Sequence, residues 1–221
     1  MALSKIQKKV LEVLAKSSLN NKFYWTGGTL LAEKYLQHRE SQDIDLFSDN
    51  SFSYQEILPL VHQIQKETKL KEIEEKKIFS RFEFFIHNGE KLRFEFVHYD
   101  FPKIKSRKKW QGVLIDSLED LVANKVMSVL DRKEPKDVID LYFIILKKKY
   151  TLEKLLKLAC KKFKLKIDLS TFLGEIITGC GTISEVRALL SGTKKEQEEI
   201  VNQIKEYFQR KNADFIKEQL E

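Results

Sequence analysis

Trp25-Thr26-Gly27-Gly28-Thr29, followed by Asp43-Ile44-Asp45-Leu46-Phe47 with fourteen residues between Gly28 and Asp43, is the stretch on which the fold turns. Phe23-Tyr24-Trp25 reads as a short aromatic strand that ends at the paired glycines. Thr29 to Gln37 has helical character, and Ile44 to Phe47 reads as a second strand closed by the turn cluster Ser48-Asp49-Asn50. A strand, a helix and a strand return the chain beside its start, so turn and aspartates can be neighbours. Side chains at i and i+2 of a strand share a face about 7 Å apart. Asp43 and Asp45 therefore project together while Ile44 and Leu46 face the core. Two such carboxylates repel unless a cation sits between them, and oxygen donors beside phosphate suit Mg2+ or Mn2+. Gly27 and Gly28 let backbone approach a phosphate closely. The helix that follows offers free N–H groups and its positive dipole end, and the Thr29 hydroxyl adds one more donor. Taken singly, paired glycines make a plain tight turn and DxD can be an exposed edge; order and spacing together are more specific.

Working outward, Ser4 to Lys16 predicts an amphipathic helix, and Ser53 with Glu56 forms a capping-box pattern for a helix to about Lys66. Lys69 to Ile78 predicts a charged edge strand. Arg81 to His87 and Lys91 to Tyr99 flank Asn88-Gly89, a strong two-residue hairpin signal. A tight turn there sets Phe82 opposite Glu95 and Phe84 opposite Arg93, with the Glu95 carboxylate among aromatic neighbours as the candidate third acid. After Lys103 to Lys109, a basic loop, the periodicity is helical: Ser117–Leu130, Pro135–Leu146, Leu152–Phe163, Leu169–Ile177, Ser184–Leu190 and Lys194 to about Lys217. The expectation is an α+β fold: a mixed sheet flanked by helices over residues 1–115, then an all-helical domain over 116–221.

The composition excludes several classes. The longest apolar run, Leu141 to Leu146, is too short to span a bilayer, and no signal-peptide stretch follows Met1, so the reading is cytoplasmic. Cys160 and Cys180 form no CxxC pattern, and His38, His62, His87 and His98 are scattered, which argues against zinc. The formal charge of +7 favours polyanions such as nucleotides and RNA, although a solvated lysine surface gives the same excess.

The run from Gly27 to Phe47, GGTLLAEKYLQHRESQDIDLF, resembles the signature of the AbiEii/AbiGii toxin family of nucleotidyltransferases, within the DNA-polymerase-β-like superfamily. The resemblance implies a minimal nucleotidyltransferase fold followed by a helical domain. It assigns Gly27, Gly28 and Thr29 to the phosphate turn, Asp43 and Asp45 to the metal-binding pair, and Glu95, within Leu92 to Val97, to the third acid, commonly Asp. Asn124-Lys125-Val126 and Arg132 to Tyr142 resemble the family's later Lys and RDxxDL motifs, with Lys136 where Arg is more usual. Read from the residues, Lys125 on its apolar stripe either snorkels outward or reaches across a cleft to a triphosphate. Lys136 and Asp140 are either an i,i+4 surface pair or site residues, and Asp137 is explained by the helix dipole. Arg39 and Ser41 either orient the carboxylates, touch phosphate or organise the turn. By resemblance, the activity is metal-dependent transfer of a nucleoside monophosphate from an NTP to a hydroxyl. The acceptor would be RNA such as tRNA, and the protein would be the toxin of a toxin–antitoxin or phage-defence pair with a cognate antitoxin. An antibiotic, small-molecule or protein acceptor, and a non-catalytic nucleotide-binding module, are the rival readings.

Overall fold

Ser4 starts the first helix as the spacing predicts. Its hydroxyl accepts the Gln7 N–H and the Gln7 side chain accepts the Ser4 N–H at 2.8 Å. The computed structural model describes residues 3–69, 73–88 and 90–221. Contacts divide the chain into two units, one of Met1–Gln37 with Ser41–Leu118 and one of His38–Glu40 with Glu119–Glu221.

The first unit is built on a seven-stranded mixed sheet. Its strands are β1 (Tyr24–Thr26), β2 (Ile44–Ser48), β3 (Ile73–Ile78), β4 (Arg81–Asn88), β5 (Glu90–His98), β6 (Lys108–Trp110) and β7 (Val113–Ile115), in the order β3-β4-β5-β2-β1-β7-β6. The β2–β5 and β1–β7 pairs are parallel and the rest antiparallel. Helices α1 (Lys5–Lys16) and α3 (Tyr54–Thr68) lie against each other and bury Val10, Leu14, Ile57, Leu60 and Ile64. One sheet face carries the buried rings of Phe82, Phe84, Phe94 and Phe96, with Phe23 and Phe52 packed edge-on or tilted beside them. Edge strand β3 is almost wholly exposed and bears Lys76 and Lys77, as an edge that discourages pairing should.

Three details depart from the sequence reading. The helix after the glycines begins as α2 (Gly27–Leu30) and continues as a π-helix, Leu31–Leu36, whose last bond runs from the Gln37 N–H to the Ala32 carbonyl. Strand β6 begins within the last two residues of the Lys103–Lys109 loop, and β7 lies in the stretch after it, for which the sequence predicts no element. The β4–β5 hairpin is shifted by one residue, with Phe82 opposite Phe96, Glu83 opposite Glu95 and Phe84 opposite Phe94. Directly opposed residues of an antiparallel pair share a face, so Phe against Glu would have mixed a core face with a polar one. Gly89 of the expected Asn88-Gly89 turn, and 70–72 of the expected third strand, lie outside the described residues.

The second unit is helical: α4 (Leu118–Arg132), α5 (Pro135–Lys148), α6 (Leu152–Phe163), α7 (Leu169–Gly181), a 3-10 segment Ile183–Leu189 where an α-helix is expected, and α8 (Lys194–Leu220). Helices α5 and α7 approach closely at Gly179, where a methyl group would lie 2.7 Å from Val138 Cγ2. Among the described residues no helix is long and apolar enough to cross a membrane.

Candidate active site

Strand β1 ends at Thr26, whose antiparallel partner is Asp45, so the next residue arrives at the Asp45 side chain. Gly27 has φ +81°, a left-handed conformation that favours glycine, and a methyl group there would lie 1.7 Å from Asp45 Oδ2. The glycine turn and the DxD strand are thus in direct contact. Thr26 occupies the N-cap position of α2 without capping it; its hydroxyl donates instead to Asp116 Oδ2 at 2.8 Å. Asp116 also receives Nε of Arg107, whose guanidinium stacks on the Tyr24 ring and holds Asp49 through two bonds. Arg107, expected in a solvated basic loop, is therefore a lock beside the turn, while Lys103, Lys105, Lys108 and Lys109 are exposed.

The Thr29 hydroxyl donates to the Asp43 carbonyl at 2.5 Å and stands 2.8 Å from the Ser41 hydroxyl. With the single Thr29 proton committed, Ser41 supplies the donor for that second contact. Gln7 Nε2 donates to the Ser41 carbonyl at 3.0 Å. Thr29 and Ser41 thus organise the approach to β2.

The parallel register places Asp45 beside Glu95. Glu95 is buried, and burial first, then the charge of Asp45, pushes its carboxyl up to about 7 against the pull of Arg93 and Arg81. Arg93 joins the acids: its Nη2 is 2.9 Å from Asp43 Oδ2 and 3.7 Å from Asp45 Oδ1, and its Nη1 is 3.2 Å from both Glu83 Oε1 and Glu95 Oε2. Burial would lower the Arg93 pKa, but its bond to Asp43 and the charges of Glu95, Asp43 and Asp45 raise it.

A second polar cluster lies within the helical unit. Asp140 on α5 is fully buried and receives Arg39 Nε at 2.7 Å and Nη2 at 2.9 Å, His38 Nε2 at 2.6 Å and Lys125 Nζ at 2.8 Å. Lys125 on α4 also reaches Asp137 Oδ1 at 2.6 Å, and Arg132 joins Asp137 at 3.0 Å. Burial alone would raise the Asp140 pKa, yet Arg39 and Lys125 hold it well below the usual carboxylate range. Burial would likewise lower Lys125, and Asp137 and Asp140 raise it. Because a carboxylate only accepts, His38 donates through Nε2, leaving Nδ1 buried with no hydrogen-bond partner among the described residues. The surface pair that is one reading of Lys136 with Asp140 is not formed: Arg39, Lys125 and His38 draw Asp140 inward, and Lys136 pairs with Glu134 at 2.8 Å. Asp137, for which the helix dipole is explanation enough in the sequence, is a buried ion-pair partner.

The family profile described as "Nucleotidyl transferase AbiEii toxin, Type IV TA system" matches residues 9–220. The chain belongs to the AbiEii nucleotidyl transferase toxin family. Within reach of this AbiEii chain is the uncharacterized protein aq_aa25 of Aquifex aeolicus (strain VF5), 27% identical over 216 residues that cover 97% of this chain and 98% of the relative. Two Helicobacter pylori crystal structures share the fold. JHP933 has a TM-score of 0.60 at 17% identity, covering 99% of this chain and 98% of its own. The other, whose nucleotidyltransferase assignment is itself provisional, has a TM-score of 0.62 at 18% identity, covering 96% and 95%.

For the cation that the AbiEii family implies, Asp43 and Asp45 fit on three counts. Both are hard oxygen donors, Gly27 brings no side chain of its own against Asp45, and the Arg93 guanidinium already takes a cation's place beside them. Among the described residues no three acidic, histidine or cysteine side chains converge at ligand spacing; Glu95 is held back by Arg93 and Arg81. The sequence reading missed Arg93, Glu83, Arg107, Asp116 and His38. A signal existed for the first two: the alternation Phe82-Glu83-Phe84 and Arg93-Phe94-Glu95-Phe96 puts every charged residue on one face.

Proposed function

We propose that this AbiEii protein transfers a nucleoside monophosphate from an NTP to a hydroxyl of an RNA acceptor, such as a tRNA end, and releases pyrophosphate. The observation that carries this reading is the contact between Gly27 and the Asp45 carboxylate, which sets an uncapped helix start directly against paired metal-type ligands. Asp43 and Asp45 would hold Mg2+ or Mn2+, with Glu95, paired with Arg93, standing beside Asp45. A bound divalent cation supplies charge neutralisation for the phosphates and acidifies the attacking hydroxyl. Gly27 and Gly28 present backbone N–H groups to the polyphosphate. Thr29 and Ser41 keep Asp43 in place through its carbonyl and the strand approach. Within the helical unit Arg39, Lys125 and Asp140 hold one another in a buried ion-pair cluster, and Lys136 is partly exposed beside Glu134. The +7 charge supports a polyanionic acceptor. The type IV toxin–antitoxin description of the family supports a toxin role opposed by a cognate antitoxin, in the cytoplasm where NTP and tRNA meet.

The test is incubation with each labelled NTP, total tRNA and Mg2+, comparing wild type with Asp45→Ala. Label on RNA with wild type alone is the expected result. Transfer to a protein or small hydroxylated compound instead would overturn the RNA acceptor. Absence of any labelled product and of pyrophosphate with every NTP would leave a binding module in place of an enzyme.

A further inference from the structure

Arg93 divides its contacts in a way that a simple structural ion pair does not require. One side of its guanidinium, Nη1, faces Glu83 and Glu95, whose side chains are only 8% and 5% exposed. The other side, Nη2, faces Asp43 and Asp45, which are more open to solvent at 37% and 14%. The fork geometry of arginine lets one edge keep its partners while the other lets go. The half-exposed Arg81 lies 3.6 Å from Glu83 and 3.5 Å from Glu95, so these two acids keep a second cation when Arg93 moves.

We infer that Arg93 is a displaceable counter-cation: its guanidinium and a divalent metal ion compete for the Asp43 and Asp45 carboxylates, so Arg93 sets the affinity of the site for metal. This rests on the reading of Asp43 and Asp45 as metal ligands. With no metal bound, Arg93 relieves the repulsion that would otherwise splay the acids. When metal arrives, Nη2 withdraws while Nη1 stays on Glu83 and Glu95, and the metal-binding step carries the cost of breaking the Asp43 contact plus repulsion from a neighbouring positive charge.

Mn2+ alone serves as the probe, its binding to the full chain measured by electron paramagnetic resonance of free Mn2+ in the absence of nucleotide. Arg93→Gln is expected to bind Mn2+ about tenfold more tightly than wild type, and Arg93→Lys, which keeps the charge, to stay within about threefold. The double variant Arg93→Gln/Glu83→Gln keeps the net charge of the cluster and carries the test if the single variant does not fold. It should still bind more tightly than wild type, because the competitor is gone. Mn2+ binding by folded Arg93→Gln, or by the double variant, that equals or falls below wild type, while Asp45→Ala loses binding, overturns the competition and leaves the metal site standing. Equal binding by wild type and Asp45→Ala, or none by either, overturns both.

Discussion

A methyl group at position 27 meets two obstacles together, a left-handed backbone and the Asp45 carboxylate. Gly27→Ala is expected to cost about 2 kcal/mol of stability from the backbone alone, and to lower nucleotidyl transfer at least about a hundredfold by displacing Asp45. Urea unfolding and labelled-NTP turnover check the two effects, and an alanine variant with wild-type turnover would contradict the contact's importance. At this scale Gly27, Asp43 and Asp45 were legible because strand period and turn chemistry are local. Arg93 was not, because a two-residue reading of the Asn88-Gly89 turn set phenylalanines against charged residues; the alternation of aromatic and charged positions in both strands was the better guide. Thr26 illustrates a different limit. Its side chain type and position suit an N-cap, and only a partner ninety residues away, Asp116, turns it from that task.

Between elements, the buried charges of the helical unit are coupled through Asp140, which joins α4, α5 and residues 38–40. Asp140→Ala leaves Arg39 and Lys125 short of a counter-charge and should destabilise by about 3–5 kcal/mol, whereas Asp140→Asn, which keeps an acceptor, should cost less. Denaturant midpoints of the two variants give the comparison. His38 adds a pH term. Burial lowers its pKa against the opposing pull of Asp140, and Arg39 and Lys125 lie beside it. A histidine with a depressed native pKa contributes stability that is whole above the unfolded value of about 6.5 and fades as pH falls through the lower native value. Unfolding free energy of wild type should therefore decline between about pH 7.5 and about pH 5 more steeply than that of His38→Gln. Most helices were legible from periodicity. The π-helical run Leu31–Leu36 was not, since its looser winding is invisible to a 3.6-residue template. Strands β6 and β7, three residues each, are shorter than any alternation can reveal.

For the molecule as a whole, a charge of +7 carried mainly by lysine would make the proposed association with RNA an electrostatic affair. Affinity for tRNA should fall by about tenfold or more between about 50 mM and about 200 mM salt, with a straight log–log slope in fluorescence anisotropy; a flat response would exclude phosphate contacts as the source of binding. The order of an α+β part and a helical part could be read from the change in periodicity. Membership of His38–Glu40 in the helical unit could not, because it depends on contacts made a hundred residues later, by Arg39 and His38 on Asp140 and by the Glu40 N–H on the Leu189 carbonyl. The bond between Gln37 and His38, that between Glu40 and Ser41, and that between Leu118 and Glu119 are therefore all seams. A protein engineer who exchanged the helical half by one cut after residue 118 would strand a buried arginine and histidine in the wrong chimera. A working graft has to carry the three-residue insert with it, as a second, remote splice.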